Sequence, residues 1–199
     1  MRRLSMAFTL LLALAACSSD PNTDNTRPPG ELTILELAQG TPALVTDSVG
    51  FWAVAGEDRE VRIDIAPDQD YLKFRVRPNA LRLYPDGTPF APGDSVFITV
   101  KVINPDSLYF QFSPSGLKFS ASEPAELSLD YDHAGFTVEG DYDNDGDVDS
   151  NDDNLESDFA VWQQENTGGP FVRLNGLIEV ELDEINVDIL GFTRYALAY

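Results

Sequence analysis

With 199 residues, 43% of them hydrophobic and 11% aromatic, the chain can bury one sizeable core, which excludes a disordered acidic tail and fits a single folded domain. Its 34 acidic residues against 13 Lys and Arg give a formal net charge of -21, which argues against nucleic acid and acidic membrane faces as partners and favours cations and basic surfaces. The one cysteine leaves no internal disulfide to form.

The first stretch, "MRRLSMAFTLLLALAAC", has two arginines, an apolar run of about ten residues and then small residues before Cys17, which is the layout of a secretory signal. The apolar run is too short to span a bilayer. Leu14-Ala15-Ala16-Cys17 resembles the lipobox of bacterial lipoproteins. That resemblance implies a signal peptide over residues 1–16, lipid attachment at Cys17 and a membrane partner reached through the anchor. In that family an aspartate directly after the cysteine favours inner-membrane retention. Ser18 stands here, so the resemblance implies an outer-membrane lipoprotein of the cell envelope. Residues 17–30, including "SSDPNTDNTRPPG", are almost without apolar side chains and read as a flexible tether spanning about 20 Å.

Residues 31–199 read as one β domain built of short strands. "YLKFRVR" alternates, with Leu72, Phe74 and Val76 on one face and Lys73, Arg75 and Arg77 on the other. With Arg82 the basic side chains form a stripe, open to two readings: a site for phosphate or carboxylate groups of envelope glycans, or a charged strand face that discourages edge pairing. "VFITVKV" puts Val96, Ile98, Val100 and Val102 together, and "LYFQF", "AELSLDY" and "LIEVEL" repeat the period of two. Pro85-Asp86-Gly87, Pro92-Gly93-Asp94 and Pro114-Ser115-Gly116 are turn signals between them. No helix longer than about ten residues is expected outside the signal. The fold class is all-β, as an antiparallel sandwich or barrel.

The segments "FRVRPNAL", "SVFITVKV", "FQFSPSGLKFSASEPAELSLDY" and "GFTRYALAY" resemble, in their order, the ZU-five domain. The likeness covers roughly residues 51–199 and implies an antiparallel β-sandwich, with the acidic loop as an insertion between late strands. Some members of that family cleave themselves at His-Phe-Ser. Here Gly191-Phe192-Thr193 offers a hydroxyl but no general base, so the expectation is a closing strand with Phe192 in the core and Tyr195 nearby.

The segment "GDYDNDGDVDSNDD" carries the most specific chemistry. Counted from Asp141 as position 1, Asp143, Asp145, Asp147 and Asp149 fall at 3, 5, 7 and 9, Gly146 at 6, Val148 at 8 and Asp152 at 12. This is the ligand template of a calcium loop over residues 141–153. Alternate side chains turn their oxygens toward one Ca2+, Gly146 permits the sharp turn, and Val148 is expected to pin the loop to apolar neighbours. Position 7 usually offers its backbone carbonyl, so Asp147 is expected to point outward. The EF-hand likeness is incomplete. "HAGFTVEG" before the loop reads as a strand, and Asp153 stands where an apolar residue usually follows. The arrangement therefore resembles the loops of dockerins and thrombospondin type-three repeats. A second register from Asp145 would bring in Glu156, and a merely hydrated acidic loop is the other reading. A divalent ion would reverse the repulsion among so many carboxylates.

Catalytic constellations are poor. His133 is the one histidine and reads as a turn residue, and Ser113-Pro114-Ser115-Gly116 lacks the first glycine of a nucleophile elbow. The sequence therefore points to a lipid-anchored envelope protein, a non-catalytic structural or interaction module stabilised by calcium. Its partner would be an envelope protein or glycan, with no nucleic acid. The alternative is an envelope hydrolase or a self-processing protein.

Overall fold

A computed structural model describes residues 25–67 and 69–199. The apolar leader, Cys17 and Ser18 lie outside the described residues. In chain order the strands are β1 (Thr26–Arg27), β2 (Ser48–Val54), β3 (Arg59–Ala66), β4 (Gln69–Val76), β5 (Leu81–Leu83), β6 (Ser95–Val102), β7 (Tyr109–Ser113), β8 (Lys118–Phe119), β9 (Ala125–Asp130), β10 (Ala160–Gln164), β11 (Phe171–Arg173), β12 (Gly176–Glu179), β13 (Glu184–Ile189) and β14 (Arg194–Ala198). One short α-helix among the described residues, α1 (Ser150–Glu156), lies between β9 and β10. All strand pairs are antiparallel, in a seven-stranded sheet ordered β1-β11-β10-β14-β7-β6-β2, a five-stranded sheet ordered β12-β13-β9-β4-β3, and a β5-β8 pair. The protein is all-β, as expected from the turn spacing. Among the described residues no helix is long and apolar enough to cross a membrane.

Period-two alternation places the core. On β6, Val96, Ile98, Val100 and Val102 are buried while Phe97 faces outward; on β4, Leu72, Phe74 and Val76 are buried while Arg75 is exposed. Phe74 of the smaller sheet meets Phe112 and Phe51 of the larger one at ring separations of 5.2 Å and 6.2 Å, so the two inner faces share one core. Each such side chain, fully buried, contributes about 1.5–3 kcal/mol of transfer free energy. Tyr71 breaks the alternation because β3 and β4 shift register there: Ile63 pairs with Leu72 and Asp64 with Asp70, which leaves Tyr71 as the extra residue of a bulge. Its hydroxyl donates to Ser107 O at 2.9 Å.

Three expectations need correction. The tether drawn through residue 30 is shorter, because Thr26 and Arg27 pair with Val172 and Phe171 and the chain then lays Leu32 and Ile34 over Trp162 and Phe171 on the outer face of the larger sheet. "LIEVEL" is a strand only to Glu179. It then tightens into a 3-10 turn over Val180–Leu182, closed by Asp183 at φ 50° before β13 begins. "HAGFTVEG" is a turn rather than a strand, held by the isolated bridge Gly135↔Glu139. Gly135 has φ 152°, and a Cβ there would stand 2.1 Å from Val138 O.

Candidate metal centre

The acidic loop leaves β9 of the smaller sheet through Tyr131, whose hydroxyl donates to Glu156 Oε1 at 2.9 Å, and enters the larger sheet at β10. It therefore occupies a connection between late strands, as expected. Asp141 opens it and is 0% exposed. Its Oδ2 accepts from Thr137 N at 3.3 Å, while its Oδ1 is buried without a hydrogen-bond partner. A carboxylate oxygen of Asp141 and one each of Asp143 and Asp145 lie within 4.8 Å of one another. The turn beyond them needs left-handed backbone at Asn144 (φ 62°) and Gly146 (φ 97°), the latter at the sixth position as the template requires.

Asp149 and Asp152 do other work. Asp149 is the N-cap of α1 and accepts from Asn151 N at 2.6 Å, while Asp152, at the third helical position, accepts from Asp149 N at 2.8 Å, a capping box built from two aspartates. Asp152 is 2% exposed and also accepts from Tyr142 N at 2.6 Å and Asp143 N at 3.2 Å. Burial pushes its carboxyl up, but the backbone N–H groups of Asp149, Tyr142 and Asp143 outweigh it and hold the group below the ordinary carboxylate value. Asp152 thus ties both ends of the loop together. Asp147 is exposed, as expected for its position, and the Asp145 charge beside it is the main cause pushing its carboxyl up. Desolvation, followed by the Asp145 charge, does the same to Asp143.

Of the six aspartates named from the sequence, the structure brings three together as a cluster: Asp141, Asp143 and Asp145. Hard carboxylate oxygens are donors that suit a hard cation, and Asp141 brings a buried oxygen without a hydrogen-bond partner to the cluster. Val148 does not pin the loop: it is 57% exposed and lies over Gly140. Tyr142 takes that role. Its ring packs on Phe159 at 4.8 Å, Phe159 stacks on Tyr199 at 5.9 Å, and the Tyr199 hydroxyl donates to Tyr142 O at 2.8 Å. Glu156, the ligand of the alternative register, is engaged by Tyr131. Sequence reasoning missed both the aromatic anchor and the double role of Asp152. The Asp149-x-x-Asp152 spacing before a short helix was the available signal.

The remaining candidates are accounted for by local partners. His133 lies in a turn, with Nδ1 2.6 Å from Glu139 Oε1, while its buried Nε2 has no hydrogen-bond partner and stands 3.5 Å from Asp132 Oδ1. Three side chains of the basic stripe are matched by neighbouring carboxylates, Lys73 to Glu184 at 2.8 Å, Arg75 to Asp58 at 2.5 Å and Arg77 to Glu126 at 3.0 Å, whereas Arg82 lies apart from them on β5. These are different carboxylates from those of the acidic loop. The Thr193 hydroxyl, 6% exposed, donates to Gln164 O, and Phe192 sits in the core beside Phe112, which also meets Tyr195. No protein-family model matches the chain, and no curated protein or solved structure matches it either.

Proposed function

We propose that this chain is a lipid-anchored protein of the outer membrane, a non-catalytic structural or interaction module whose ZU-five-like β-sandwich is stabilised by calcium in the 141–152 loop. The observation that carries the calcium reading is Asp141, a carboxylate with no exposure and an unpaired oxygen, adjoined by Asp143 and Asp145. In this reading those three side chains are direct ligands. Asp149 and Asp152 fix the loop around them, and water with backbone carbonyls supplies the rest of a shell of six to eight oxygens.

Calorimetric titration tests it. Calcium should bind with a dissociation constant of about 0.1–1 mM, the range of extracellular calcium modules, and magnesium should bind more weakly because it holds its water and demands a tight octahedron. Asp141→Asn with Asp145→Asn should abolish the heat. A flat titration at millimolar calcium would leave a hydrated acidic loop. The anchor rests on Cys17: Cys17→Ser should abolish metabolic lipid labelling and leave the leader uncleaved, and unchanged lipid labelling of the variant would remove the anchor.

A further inference from the structure

The folded body begins close to where the proposed anchor lies. Asn25 O accepts from Arg173 N at 2.8 Å, and Thr26 and Arg27 are already paired to β11. Eight peptide steps separate Cys17 from Asn25, a reach of at most about 28 Å whatever conformation they take. The root of the tether is therefore held near the lipid surface.

The acidic loop is built at that same end. Asn25 and Phe159 line one recess of about 340 Å3, and Phe159 packs on Tyr142, the residue between Asp141 and Asp143. Arg173 links the two regions a second time, since its guanidinium donates to Asp158 O at 3.1 Å just beyond α1. A cation at Asp141 would be walled on one side by the protein. Asp143 and Asp145 beside it are exposed. Three carboxylates leave positions of a calcium shell to exchangeable water, and phosphate oxygens are hard anionic donors that can replace that water. Charge selects the same arrangement: a body of formal charge -21 is repelled by anionic headgroups unless a cation stands between them.

We infer that calcium in this loop is shared with the headgroup phosphates of the membrane that carries the anchor, so that the ion docks the loop end of the body onto the lipid. The inference rests on the calcium and anchor readings above. The short tether supports it by keeping the loop at high effective concentration over the headgroups.

The test uses the lipidated chain in vesicles, with Ser150→Cys carrying a fluorophore; Ser150 is exposed, and the other cysteine is the acylated Cys17. The vesicles contain phosphatidylcholine with or without phosphatidylglycerol, and a quencher on the lipid headgroup. Calcium should raise quenching several-fold in the phosphatidylglycerol vesicles, chelator should reverse the rise, and soluble glycerol phosphate, a free source of the same donor, should compete it away. The variant Asp141→Asn with Asp145→Asn should show no rise. Quenching that ignores calcium, or a rise that survives in that variant, overturns the inference. A calcium titration of the same protein in detergent separates the two readings: heat without quenching refutes the docking and leaves the calcium loop standing, while no heat removes both.

Discussion

Removing the Asp141 charge should cost stability when calcium is present and change little in chelator. In chelator the wild-type protein keeps a buried carboxylate with an unpaired Oδ1, while Oδ2 accepts from Thr137 N. Asn at 141 can keep the Thr137 bond and removes the buried charge, but it puts an amide NH2 without a partner where Oδ1 stood, so the two effects offset and the change in chelator should be small. Calcium at about 100 times its dissociation constant adds about 2.7 kcal/mol to the wild type, or about 5–11 °C in melting temperature for a domain of this size. The variant should gain almost none of it. Differential scanning calorimetry of both proteins in calcium and in chelator reads all four values. Two results would refute the reasoning: identical melting of the wild type in calcium and chelator, or an equal loss for Asp141→Asn in both. The second would make Asp141 an ordinary acceptor for the Thr137 amide.

Asp152→Ala should differ from Asp141→Asn in kind, because it strips an acceptor from three backbone amides; the loss should be about 1–3 kcal/mol in urea melts with calcium and with chelator alike. Since the folded state holds Asp152 below its ordinary 3.8, the stability it supplies is present above that pH and fades as pH falls through the depressed value, a fade that the alanine variant should lack. Asp130 behaves in the opposite sense. Burial pushes it up to about 7 against the hydrogen bond from Asp132 N, with the Asp132 and Glu184 charges adding to the rise. Its contribution is complete below pH 3.8 and lost as pH rises through about 7, so the stability of Asp130→Asn relative to wild type should climb across that window. Urea unfolding at intervals of pH in chelator measures it, and a constant difference would refute the assignment.

Much of the sheet was legible because alternation survives wherever one face of a strand meets the core. "YLKFRVR" and "VFITVKV" bury the side chains that their period assigns to one face. The reading failed where backbone rather than side-chain pattern decides. The bulge at Tyr71 arises from a register shift, and Thr26–Arg27 joins a sheet through main-chain bonds that carry no apolar signature. Helix α1, sequence Ser-Asn-Asp-Asp-Asn-Leu-Glu, shows no amphipathic stripe and depends on its capping box. In the loop, spacing identified six carboxylates but not their division of labour. Asp149 and Asp152 face unpaired amides at a helix start, which compete with any ion for their oxygens, whereas Asp141 opens the loop from a buried turn and has one oxygen left over.

The charge distribution says why an ion from outside suits this loop. The cations on and beside the smaller sheet, Arg59, Arg62, Lys73, Arg75 and Arg77, are paired with Glu57, Glu60, Asp70, Asp58, Glu126 and Glu184, all outside the loop. No ion pair among the described residues reaches Asp141, Asp143 or Asp145. Backbone amides moderate part of the repulsion: Asp145 N donates to Asp143 Oδ1 and Asp147 N to Asp145 Oδ1, each at 3.2 Å. Those bonds curl the chain and keep the oxygens close, but they leave the net charge in place. A sequence that buries Asp141 and then gathers two more carboxylates beside it, without an arginine or lysine to match, concentrates negative charge against the core. In the calcium reading proposed above, a divalent cation would balance that charge, and the aromatic contacts of Tyr142, Phe159 and Tyr199 would couple its binding to the sheets.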